Sequence, residues 1–74
     1  MARAKRMSNE EYHCLLGVLV ALDTVIVSHD QPVIAGDIIR AAGPKAVMRA
    51  AVRSEYPFMR QLKRVYRDEG LLDE

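Results

Sequence analysis

Seven cations in the second half of the chain are spaced so that helices would gather them onto two surfaces. Lys45, Arg49 and Arg53 recur every four residues, which on a helix makes a stripe. Arg60, Lys63, Arg64 and Arg67 follow an i, i+3, i+4, i+7 pattern and fall on one narrow arc. Solvated helices ordinarily interleave acids with bases to gain i, i+4 pairs, but here only Asp68 and Glu69, near the end of the second arc, do so. Two such stripes repel themselves, and an anionic partner would relieve the repulsion. No Ser, Thr, Asn or Gln lies between the cations of the first stripe, from Lys45 to Arg53, so phosphate contact suits it better than the reading of base edges. The competing reading is a solvated surface whose charges pair with Glu10 or Glu11 from the first helix.

The rest of the charge pattern sharpens the point. The 74 residues carry a net charge of only +1, yet Ser8–Asp37 has no Lys or Arg and holds Glu10, Glu11, Asp23, Asp30 and Asp37. Between Arg40 and Arg67 eight basic residues face a single acid, Glu55. The chain is a strong dipole whose basic pole attracts polyanions despite the near-neutral total.

Other side chains offer less chemistry. His13 and Cys14 are neighbours pointing about 100° apart on a helix, and His29 has no second cysteine to complete a tetrahedral set, so no metal site is expected. Cys14 lies on a largely apolar helix, where a thiolate nucleophile is unfavourable, and a single cysteine excludes an internal disulfide. Asp23 interrupts that helix and either marks the edge of its buried face or pairs with a basic group across an interface. No phosphate loop, paired-carboxylate site or nucleophile triad is present, so neither an enzyme nor a cofactor is expected.

The elements that must position the cations can be read from caps and breaks. Met1–Met7 lacks periodicity and reads as a flexible basic arm carrying Arg3, Lys5 and Arg6, leaving residues 8–74 as one helical domain. Ser8 followed by Glu11 is a capping box opening a first helix that runs to about Ser28. One face carries Tyr12, Leu15, Val18, Leu19, Leu22 and Ile26, and a second ridge carries Leu16, Val20 and Val27. The break at Ser28–Pro32 leaves at most a residue or two of strand around Pro32–Val33. A second helix over about Ala35–Ala42 turns Ile38, Ile39 and Ala42 inward and stops at Gly43. Pro44 opens a third helix, Lys45–Ser54, with Val47, Met48 and Ala51 inward. Pro57 breaks the chain before a last helix, Phe58–Asp68, which buries Phe58, Leu62, Val65 and Tyr66 and stops at Gly70. The expectation is an all-α, compact four-helix domain.

The order Leu15-Leu16-Gly17-Val18-Leu19, then Gln31-Pro32-Val33, Ala35-Gly36-Asp37-Ile38-Ile39-Arg40-Ala41-Ala42-Gly43, and finally Asp68-Glu69-Gly70-Leu71-Leu72 resembles the DNA-binding half of winged-helix (helix-turn-helix) transcription regulators, without the wing. The resemblance spans about Leu15–Leu72. It implies a helix-turn-helix-like unit with Lys45, Arg49 and Arg53 on the recognition helix, lying in the major groove of duplex DNA.

Two functions follow as expectations. The first is a small DNA-binding protein, a transcription or replication accessory factor. It grips duplex DNA through Lys45, Arg49, Arg53, Arg60, Lys63, Arg64 and Arg67, with Arg3, Lys5 and Arg6 on phosphates. The second is an adaptor or inhibitor module docking a charged protein partner, with no nucleic-acid binding. The first helix, apolar on most of its circumference, calls for a homodimer through Leu15, Leu16, Leu19, Val20, Leu22, Ile26 and Val27. The apolar run Cys14–Val27, interrupted by Asp23, is shorter than the ~18–20 residues of a membrane span and reads as a soluble helix. With one cysteine and no secretory signal, the expected location is the cytoplasm.

Overall fold

A computed structural model describes residues 7–71 and shows an all-α domain, with no strand among them. Helix α1 spans Asn9–Leu22, with Ser8 Oγ accepting the Glu11 amide at 3.1 Å, so the hydroxyl half of the capping box is formed. Helix α1 continues without a break as a π-helical segment, Asp23–Ser28. Thr24, Val25, Ile26 and Val27 are four consecutive β-branched residues, which crowd a normal helical turn, and the wider turn relieves them. The segment closes with the His29 amide on the Thr24 carbonyl at 3.1 Å.

Helix α2 spans Pro32–Ala42, helix α3 Pro44–Arg53 and helix α4 Met59–Asp68. The start of α2 corrects the expectation of Ala35: Pro32 occupies the first turn, where its missing amide costs nothing, so Pro32–Val33 is helix. Gly43 alone joins α2 to α3, at φ 102°. After α3 the chain turns through Glu55 at φ 54° before Pro57.

The core is aliphatic with two buried tyrosines. Leu15, Leu19 and Leu22 of α1 meet Ala35 and Ile39 of α2, Val47, Ala50 and Ala51 of α3, and Leu62, Val65 and Tyr66 of α4. Leu71, after Gly70, is also buried. Helix α1 packs mainly on α3, and α2 contacts every other helix. Gly36 lets α2 approach the end of α4, where an added Cβ would stand 3.1 Å from Glu69 Cγ.

Three placements differ from the sequence reading. Met7, assigned to the arm, is half-buried against the core; Arg3, Lys5 and Arg6 lie outside the described residues. Leu15, Leu19 and Leu22, expected at a dimer interface, are committed to the chain's own core, while Ile26 is half-buried against it. Leu16 is likewise half-buried against the core, and only Val20 (65% exposed) and Val27 (45%) of the expected interface remain outward. The continuous helix Asn9–Ser28 is 20 residues long and holds an 18-residue window of mean hydropathy 1.5, so by length and composition alone it reaches a membrane span, which the apolar run Cys14–Val27 did not.

Candidate nucleic-acid interface

Helix α4 forms the principal basic surface because its two faces are sharply divided. Leu62, Val65 and Tyr66 point into the core, and Arg60, Lys63, Arg64 and Arg67 are all exposed. At about 100° per residue the four cations fall within an arc of roughly 100°. Among the described residues Asp68 is the only carboxylate at ion-pair distance from them, 3.9 Å from Arg64 Nε and 3.3 Å from Arg67 Nε. That one exposed carboxylate is shared by two guanidinium groups and offsets little of the arc's charge. Among the described residues no carboxylate pairs with Arg60 or Lys63.

The arc borders a groove. Helices α3 and α4 are not principal packing partners, and they leave an open cavity of about 700 Å³ lined by Met48, Arg60, Lys63, Arg64, Tyr66 and Arg67. The Tyr66 hydroxyl donates to the Pro44 carbonyl and ties α4 to the first turn of α3, which closes the bottom of the groove. Burial pushes the Tyr66 phenol up to about 12 despite a backbone hydrogen bond at Met48 that acts the other way. Met48 is half-buried on the opposite wall.

The stripe on α3 divides. Residues four apart advance by about 40° on a helix, so Arg53 stands roughly 80° round from Lys45. Lys45 lies about 60° round α3 from Met48, away from the buried face, with Arg49 beyond it; neither lines the groove. Both are exposed, and neither pairs with a carboxylate among the described residues. Arg53 instead reaches α1. Its guanidinium carbon lies 3.8 Å over the Tyr12 ring centre, and Nη2 donates to Asn9 Oδ1 at 3.2 Å. The pairing expected with Glu10 or Glu11 is thus made with their neighbours. Arg40 is also engaged, donating to the Glu69 carbonyl at 2.7 Å and lying 3.6 Å from Asp37. Six cations therefore face outward on α3 and α4: Lys45, Arg49, Arg60, Lys63, Arg64 and Arg67.

Asp23 has a partner that sequence reasoning missed. The hydroxyl of buried Tyr56 donates to its carboxylate, with the Leu19 carbonyl at 3.5 Å, so the partner is a neutral phenol within the chain and not a base across an interface. Burial first, then the hydrogen bond to Asp23 and its negative charge, push the Tyr56 phenol above the ordinary range. This contact anchors the α3–α4 connection to the start of the π-helical segment. The only sequence signal was an aromatic residue beside the Pro57 break.

His13, Cys14 and His29 are all exposed, and among the described residues no group of His, Cys, Asp or Glu could hold a metal ion. No protein-family model, curated protein or solved structure matches this chain.

Proposed function

We propose that this protein binds nucleic acid, gripping the phosphates of a duplex through α4 and the outer edge of α3. The observation that carries the reading is the set of six outward cations on the two consecutive helices α3 and α4, with Asp68, among the described residues, as the one carboxylate at ion-pair distance. Lys45, Arg49, Arg60, Lys63, Arg64 and Arg67 are the phosphate contacts. Arg53, turned onto Tyr12, is a structural tie and not a contact. The single-residue link at Gly43 is shorter than the three-to-four-residue turn usual between a helix-turn-helix pair, which favours a phosphate grip over base reading by α3.

A homodimer through the outward ridge of α1 is part of the proposal, because Val20 and Val27 remain uncovered in the single chain. Pairing would bring two basic arcs to one duplex and raise affinity by avidity.

The test is a fluorescence-anisotropy titration of a labelled random-sequence duplex with the protein and with Arg60→Glu/Arg64→Glu. Binding that the double variant abolishes while circular dichroism stays unchanged supports the reading. Binding of polyglutamate with none of any nucleic acid at low salt would transfer the arc to an acidic protein partner, the adaptor function.

A further inference from the structure

The groove beside α4 has more apolar surface than a phosphate grip requires. A duplex keeps its base faces stacked inside and offers the groove its charged backbone and base edges, but no flat apolar face. Met48, half-buried on α3, would then face no complementary surface. Met48, Tyr66 and the aliphatic stems of the surrounding cations make a floor, and four charged heads rim it. Its volume of about 700 Å³ suits a ligand the size of one or two nucleosides.

We infer that the groove between Met48 and the α4 arc receives unpaired bases of a single strand, with Arg60, Lys63, Arg64 and Arg67 on the flanking phosphates. The inference rests on the nucleic-acid reading and names the form of nucleic acid the site prefers. Unpaired bases carry the two chemistries the groove offers at once. Their flat apolar faces lie on Met48 and on the aliphatic stems of the cations, and their phosphates meet the charged rim. The arc from Arg60 to Arg67 runs about 10 Å along α4, long enough to follow a short stretch of one strand. Since the floor makes no base-specific hydrogen bond, the preference is for unpaired strand and not for a sequence.

Charge alone predicts the opposite order, because a single strand has lower charge density and releases fewer counterions per contact. The test exploits this. Anisotropy titrations at one salt concentration compare a labelled single strand, the duplex of equal length, and an abasic strand with the same phosphates and no bases. The expected result is a single strand bound about tenfold tighter than duplex, equivalent to one stacked base, with the abasic strand falling to the duplex level or below. Met48→Ala should remove most of that advantage and leave duplex affinity within about twofold, since alanine keeps the helix. Equal affinity for the normal and abasic strands, or duplex bound as tightly as single strand, would overturn the inference and leave the nucleic-acid reading standing. No binding to any of the three would remove both.

Discussion

Replacing Tyr56 by Phe removes the hydroxyl that ties the α3–α4 connection to the Asp23 carboxylate and, at 3.5 Å, to the Leu19 carbonyl. The ring would stay in place, edge-on to Phe58 with centroids 6.0 Å apart and planes at 75°, while the hydroxyl bonded to Asp23 is lost. Hydrogen bonds to charged groups contribute about 1.5–3 kcal/mol. Asp23 is only half-buried and recovers water when abandoned, so the loss falls at or somewhat below the lower end, about 1–1.5 kcal/mol. For a domain this small that lowers Tm by roughly 4–12 °C. Thermal unfolding followed by circular dichroism at pH 7 would measure it in Tyr56→Phe, Asp23→Ala and the double variant. Because the two groups share one bond, the double variant should lose about 1 kcal/mol less than the sum of the single losses. Additive losses, or a Tyr56→Phe Tm within about 2 °C of the parent, would refute the reasoning.

The same tyrosines predict alkaline instability. Both phenols are raised above the ordinary value of 10.0, so their contribution is complete below pH 10 and declines as pH rises towards the folded values, about 12 for Tyr66. Stability measured by denaturant titration should fall from pH 10 upwards, less steeply in Tyr56→Phe. Arg53→Ala should cost about 1 kcal/mol by losing the Tyr12 stack and the Asn9 bond, yet leave nucleic-acid affinity unchanged. Arg64→Ala should do the reverse, lowering the salt slope by about 0.9. Leu19→Asp should unfold the domain, because Leu19 is 3% exposed, whereas Val20→Asp at 65% exposure should keep the fold and shift sedimentation from dimer to monomer. A folded Val20→Asp with the same sedimentation as the parent would remove the α1 interface.

Local signals carried most of the fold. Ser8, Gly43, Pro44 and Pro57 each act within a turn of their own position, and the buried faces of α3 and α4 follow from helical period. Pro32 was ambiguous because its fixed φ suits both an extended residue and a first helical turn. Tyr56 and Asp23 are 33 residues apart, and no local rule joins them. The even four-residue spacing of Lys45, Arg49 and Arg53 suggested one face, but the winding of the helix carries Arg53 round to Tyr12. The groove was illegible for a related reason, since it depends on the divergence of α3 from α4 and on the Tyr66 bond to Pro44. The cations of α4 were read correctly as an arc because helical period alone places them.

The central claim is that this arc and its α3 edge hold phosphates, and the salt dependence of binding tests it most directly. Titrating a labelled duplex between about 50 and 200 mM salt should give log affinity against log salt with a slope, for each protomer engaged, between roughly −3.6, for the four cations of α4, and −5.4, when Lys45 and Arg49 join them. The slope should be about twice that when a dimer sets both arcs on one duplex. A flat dependence, or no binding at the lowest salt by a protein that circular dichroism shows to be folded, would contradict it.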